Sequence, residues 1–469
     1  MEYLQVLSKK LNVPIHKINK DTIKYYYTKW PELCCRYNLE PIDTSVGPYE
    51  YSKAINIMNQ YYKEIESDYY RNLYEECKKY KDGESVLGNE TNEMLDHIIG
   101  EYIRFRPNTF VITLWPNAND KLNELLKILH ENGHVYYIKK FNLHYDAAKN
   151  LIYQMYSDTH RLSDIESIEN KLSWIGWEKD KISSFKIIIF DHQSKIPISG
   201  SMSPLKQQIR EIWTKDNSSK RGDDFIHIND HFYQTYEYTR LFFNKNSMMA
   251  LHFQDLNSHL SKNFGTCRIY LNTIKNWITK NISPIDYDRF MFMSSTVLYI
   301  YGIRVCRDVD GFVSGKPMSK DSKTPFLEEK LRKNFYDKHT KFFFADIGMP
   351  GTKLWKDRWD DHDKPWFDII GIKYRDQLIF DPEQYFWYNG MKFVTIKNDV
   401  RRRILRRKVT DYGDLMEIER KTNIEIEYPI VPDEYSKEEF EKLLKEYMSE
   451  KYKNNNTYNE KLKTLKFSK

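Results

Sequence analysis

Asp308 and Asp310 stand one residue apart in YGIRVCRDVDGFV, residues 301–313. In a strand, residues i and i+2 point to one side, so the two carboxylates aim together. Two close carboxylates repel, and one of them would keep its proton. A divalent cation relieves this by taking oxygens from both. Two Mg²⁺ or Mn²⁺ ions held in this way can bridge a triphosphate and stabilise its entering and leaving oxygens. Gly302 ends the apolar run before the acids, and Arg304 and Arg307 lie just before them. A later strand, KFFFADIG, carries a third acid, Asp346, with Asp368 in WFDIIG as the alternative. Further on, residues 401–408 read RRRILRRK, a basic cluster that includes Arg402 and Arg406 and is followed by Asp411 and Asp414. Such a cluster suits triphosphate or nucleic-acid phosphate.

These residues need elements to hold them. An apolar run, MFMSSTVLYIYG, is suited to a strand or a helix leading into a turn. RDVDGFVS reads as a strand, residues 325–338 as a helix, and KFFFADIG as another strand. This pattern resembles the nucleotidyltransferase superfamily of the DNA polymerase β type. The stretch 385–415 is similar to AbiEii-type members. The resemblance implies that Asp308 and Asp310 bind both metals and that Asp346 assists. It implies that Gly302, Arg304, Arg307, Arg402 and Arg406 meet the nucleotide. The superfamily places Gly-Ser at its phosphate turn, and here Gly302 is followed by Ile303.

Upstream, β-α-β-α-β order is legible: TFVITLWP (109–116), an amphipathic helix over 121–133, HVYYIKKFNL (134–143), a helix over 146–158 and SFKIIIFD (184–191). Within 199–247, Ser203-Pro204, Ile209-Arg210, Ile226-His227, Asp230 and Phe242-Phe243 occur in an order similar to the nucleoside diphosphate kinase family. That resemblance implies a ferredoxin-like fold and a phosphate-accepting His227, with Arg210 on the phosphates and Tyr156 beside the nucleotide. Trp115 stands where the family has lysine, and Asp224 where it has asparagine. Glu237 lies about one position from the family's helix acid. These departures point to a domain kept for its fold, for nucleotide binding or for subunit contact.

The expected fold class is α+β. A helical N-terminal region (1–105) leads into a kinase-like ferredoxin domain (106–255). A connector (256–290), a nucleotidyltransferase-like mixed sheet with helices (291–430) and a charged helical tail (431–469) follow. The chain has 469 residues and a formal charge of only +6, from 73 basic and 67 acidic side chains, so local clusters matter more than the total. Its five cysteines are scattered and contain no C-x-x-C pair, which speaks against a disulfide framework or zinc site. No run is long and apolar enough for a membrane span, and no signal-peptide core opens the chain, so a cytoplasmic protein is expected. The expected reaction transfers an NMP from an NTP to a hydroxyl on RNA, protein or a small molecule. Two alternatives stand beside it. One is a non-catalytic binding or assembly module, virion-associated were the chain viral, with oligomer contacts through the kinase-like domain. The other is a phosphotransferase working through phospho-His227.

Overall fold

The computed structural model describes residues 96, 109–156, 162, 164–192, 203–215, 222–230, 232–261, 264–281, 287, 290–306, 309–313, 342–344, 364–372, 378–379, 381–452 and 465–467. The expected helical region 1–105, apart from Asp96, lies outside them, as do Arg307, Asp308, Asp346 and the helix expected over 325–338. The fold is mixed α+β, and the described residues form two sheets. The described residues fall into two compact units. One holds residues 96–256 with Trp387–Gly390, and the other holds Asn257–Phe386 and Met391–Lys469.

In the first unit, β1 (Thr109–Leu114) is buried throughout, as an unbroken apolar run dictates. Helix α1 (Leu122–Asn132) buries Leu122, Leu125, Leu126 and Leu129, the i, i+3, i+4, i+7 stripe legible in its sequence. Strand β2 (Gly133–His144), helices α2 (Tyr145–Met155) and α3 (Ile165–Trp174), and β3 (Ile182–His192) follow. Asp164 caps α3, its carboxylate accepting from the Ser167 N–H at 2.8 Å. Helix α4 (Ser203–Thr214), β4 (Ile226–Ile228) and α5 (Phe232–Phe242) complete the unit's main elements.

The sheet order is β2-β3-β1-β4, and each described pairing is antiparallel. This is the ferredoxin-like split βαβ order, with α2 and α3 inserted between β2 and β3. Register places Thr113 opposite both Ile187 and His227, so the short strand β4 carries His227 into the sheet beside the middle of β1–β3. The core of Phe110, Ile112, Leu125, Ile188, Ile209 and Ile226 is sealed from solvent.

In the second unit, helix α6 (Gly265–Asn281) occupies the stretch expected as a connector. The apolar run expected as a strand or a helix is both: β5 (Phe290–Met293) turns directly into α7 (Ser295–Ile300). Strands β6 (Val309–Val313) and β7 (Phe342–Phe344), helix α8 (Lys364–Ile370), and strands β8 (Tyr385–Tyr388) and β9 (Met391–Val394) follow. The sheet order is β7-β6-β5-β9-β8; β6 is antiparallel to β5, whereas β7 is parallel to β6 and β9 to β5.

Strands β8 and β9 are joined by Asn389-Gly390, with φ of 48° and 72°. Two successive positive φ values define the type I′ hairpin turn, for which Asn-Gly is the preferred pair. Helices α9 (Ile396–Arg406), α10 (Val409–Thr422) and α11 (Lys437–Lys451) end the described fold. Within the expected charged helical tail, α11 buries Phe440, Leu444 and Met448, one apolar stripe at helical spacing, so the helix is docked through that face.

Candidate functional site

Strand β5 brings the chain to Asp310. Register pairs Met293 of β5 with Asp310 of β6. The residue after Met293 is therefore next to the acidic strand. That residue, Ser294, has φ 63° and ψ −125°. An L side chain is strained there, and non-glycine outliers of this kind gather at working sites. Ser294 is also the N-cap of α7, its carbonyl accepting from the N–H of Val297 at 3.1 Å. A capping serine ordinarily turns its hydroxyl onto its own helix. Ser294 does not, and its hydroxyl has no partner among the described residues. The strand-turn-helix thus holds a strained, buried serine whose hydroxyl has no partner among the described residues, one residue past the strand position that pairs with Asp310.

Gly302 stands at the other end of α7. Its φ of 63° and the bonds from the N–H of Gly302 to the Tyr299 carbonyl and from the N–H of Ile303 to the Leu298 carbonyl, both 2.9 Å, terminate the helix. This is a Schellman-type glycine cap. The glycine that looks like a phosphate turn in sequence ends a helix, and the strained turn follows Met293, the partner of Asp310, at Ser294. A serine in a glycine conformation leaves no sequence signal beyond the strand-to-helix switch.

Asp310 is half-buried on β6. Phe343 of β7 is its neighbour on the other side, three residues ahead of Asp346 in sequence. Asp368 is exposed on α8. Among the described residues no three potential metal ligands lie together.

The arginines and acids downstream are mutually engaged. Arg304 donates to both oxygens of Asp414, from Nε at 2.9 Å and Nη2 at 3.1 Å. Arg403 bonds Asp399 through Nε at 2.8 Å and reaches Asp414 and Asp411 through Nη1. Arg406 chelates Asp411, with Nη2 at 2.8 Å. Tyr447 donates to Asp414 at 2.7 Å, and Tyr452 donates to the same oxygen. Three guanidiniums thus meet three carboxylates, each of the carboxylates nearly inaccessible to solvent. Burial opposes the charge on Asp414, but Arg403 and Arg304 outweigh it and hold its carboxyl below the usual range. For Asp411 burial wins over Arg406 and Arg403, and its carboxyl is pushed up. Arg402 is half-buried, its guanidinium 5.7 Å from the centre of the Trp366 ring.

A second constellation surrounds His227 in the first unit. Tyr238 gives its hydroxyl hydrogen to the Met155 carbonyl at 2.8 Å. Its oxygen therefore accepts from Nε2–H of His227, 3.3 Å away. That tautomer leaves Nδ1 as the acceptor for the Tyr156 hydroxyl at 3.2 Å. Both ring nitrogens are engaged, and the partner on α5 is Tyr238, the residue after Glu237. Burial depresses the His227 pKa well below its ordinary value, and Lys206, Lys171 and Arg210 push the same way, so the ring is neutral. A neutral imidazole among three cations has the electrostatics for an anion.

Two of those cations, however, are committed to acids, whereas the buried Nε of Arg210 has no hydrogen-bond partner among the described residues. Lys206 pairs with Asp230 at 3.0 Å. Lys171 bonds the Asp223 carbonyl at 2.8 Å and its carboxylate at 3.3 Å. Arg210 donates from Nη2 to the Ile226 carbonyl at 3.3 Å. Trp115, at the family's lysine position, is buried against Trp177 and Phe185.

The chain matches no protein-family model, no curated protein and no solved structure. No described helix is long and apolar enough to cross a membrane.

Proposed function

We propose that this protein is a metal-dependent nucleotidyltransferase, moving an NMP from an NTP to a hydroxyl acceptor with pyrophosphate leaving. The observation that carries the reading is Ser294: a strained, buried serine with a free hydroxyl, one residue beyond the partner of Asp310. A hydroxyl and a turn held in place before substrate arrives suit a polyphosphate, whose transfer depends on positioned donors. Asp310 offers hard carboxylate oxygen, the donor type that Mg²⁺ and Mn²⁺ prefer. Asp308 and Asp310 would hold the metal, with Asp346 or Asp368 as third acid; when bound, the metal would polarise the triphosphate.

The engagement of Lys206 and Lys171 favours a second role for the first unit, as a binding or assembly scaffold rather than a phosphohistidine kinase. A kinase would need those cations on phosphate, not on Asp230 and Asp223.

The test is transfer of label from α-labelled NTPs, with Mg²⁺ or Mn²⁺, to RNA, protein and sugar-phosphate acceptors. Label is expected in one acceptor class, abolished by Asp310→Asn and reduced about 10- to 100-fold by Ser294→Ala, the loss of one hydrogen-bond donor to phosphate. Transfer unaffected by Asp310→Asn would remove the assignment. A phosphohistidine formed from ATP and absent in His227→Ala would establish the kinase reading instead.

A further inference from the structure

The basic run at residues 401–408 is sorted by the fold. Its acidic neighbours Asp399, Asp411 and Asp414 are all buried and face Arg403, Arg406 and Arg304. No acid is left on the outer surface of α9, α10 and the corner between them up to Ile418. The exposed residues of 396–418 are Lys397, Arg401, Arg406, Arg407, Lys408 and Thr410, five cations and a hydroxyl. Four of them, Lys397, Arg401, Arg407 and Lys408, have no ion-pair partner among the described residues, while Arg406 is held by Asp411. Lys397, Arg401 and Lys408 are spaced i, i+4, i+11, which places the first two on one helical face.

Arg407 adds an independent observation. It closes α9 with φ 52° and ψ 27°, the left-handed position at which helices ordinarily place glycine. A cation occupies that position against its own backbone preference. Exposed large apolar side chains occur elsewhere, at Ile269, Ile369, Ile430 and Leu443 in this unit, but not between 396 and 418. A protein interface would be anchored by such side chains, and a membrane-binding helix would bury them in lipid. Unpaired lysines and arginines without an apolar anchor match a phosphate backbone.

We infer that the α9–α10 corner is a binding surface for the phosphate backbone of a nucleic acid. The two readings are separable by variant: Asp310→Asn tests transfer and leaves these cations in place, whereas changes at Arg401, Arg407 and Lys408 test binding and leave Ser294 and Asp310 in place. Contacts of this kind carry no base information, so RNA and DNA strands of equal length bind alike.

The test uses the full chain and a fluorescein-labelled single-stranded RNA of about 20 nucleotides, enough to span a site. Affinity is measured between about 0.05 and 0.2 M salt. Each single-strand phosphate contact contributes roughly 0.7 to the salt slope, or about five-fold in affinity at 0.1 M. The variant Arg401→Gln/Arg407→Gly/Lys408→Gln is expected to bind about 100-fold more weakly, with a slope smaller by about 2. Arg407→Gly alone relieves the backbone, so it is expected to melt no lower than wild type while binding about five-fold more weakly. Asp310→Asn retains RNA binding. Equal affinity of wild type and triple variant for RNA overturns the inference. So does binding to phosphatidylserine vesicles or an acidic peptide in place of RNA.

Discussion

Arg304 and Asp414 lie 110 residues apart in the chain and meet through two hydrogen bonds, Nε to Oδ1 at 2.9 Å and Nη2 to Oδ2 at 3.1 Å. The pair ties the loop that leads into β6 to the middle of α10. Five donors from four residues converge on the Asp414 carboxylate, and little of it sees water.

Removing one side of a buried pair strands the other charge. Asp414→Asn is therefore expected to cost about 3–5 kcal/mol, measured by denaturant unfolding. Replacing both partners, as in Arg304→Met/Asp414→Leu, is expected to cost less than the sum of the single changes. A strictly additive double-mutant cycle would show that the two residues do not act as a pair.

His227 makes the first unit acid-sensitive. Its folded pKa is depressed by burial and by Lys206, Lys171 and Arg210. The unfolded ring titrates near 6.5. Below that pH the unfolded chain binds a proton that the folded one refuses, so stability is complete above about 6.5 and falls as pH drops toward the folded value. The steepest loss is about 1.4 kcal/mol per pH unit. His227→Gln is destabilised at pH 7 by its lost hydrogen bonds, and the gap between its melting temperature and that of wild type is expected to close from pH 7 to pH 5. A gap independent of pH would mean that the buried ring is not a titrating element.

Ser294→Gly is expected to raise stability by about 1 kcal/mol or to leave it unchanged, because glycine accepts φ 63° without strain. Ser294→Val adds a β-branch at the same φ and is expected to lose about 2 kcal/mol. Thermal melts should place Ser294→Val below wild type and Ser294→Gly at or above it.

Gly413 lies inside α10, where alanine would normally be the better helix former by about 1 kcal/mol. A Cβ there would sit 2.6 Å from Cδ1 of Tyr447. Gly413→Ala is expected to destabilise the fold by about 1–3 kcal/mol and to pull the Tyr447 hydroxyl from Asp414. Unfolding experiments alongside Tyr447→Phe would show the two changes to be non-additive.

The elements were more legible than the site. Apolar runs at 109–114 and 182–192 and the leucine stripe of α1 announce themselves by composition and period, because burial alone decides them. The β8–β9 hairpin also left a signal in YFWYNGMKFV, where Asn-Gly sits between two apolar runs. It is easily passed over beside the arginine run that follows. Ser294 left almost none, since its role comes from a backbone angle that serine seldom adopts. Gly302 drew the phosphate-turn reading because glycine is the usual sign of positive φ, and its φ is indeed positive, but as a helix cap. The arginines posed a different problem. Arg403 and Arg401 are two residues apart and alike in chemistry, yet one is buried among carboxylates and the other exposed. Only long-range packing tells them apart.

The donors of Asp414 have a consequence for synthesis. Arg304 leaves the ribosome long before Asp414, Arg403 shortly before it, and Tyr447 and Tyr452 after it. Until residue 452 is made, this carboxylate lacks two of its hydroxyl donors, and α10 lacks the helix that covers Gly413. This part of the C-terminal unit therefore cannot lock while α11 is still being translated. A nascent chain stalled before Lys437 would keep this part of its interior open to proteases and chaperones, whatever the state of the β-sheet already formed.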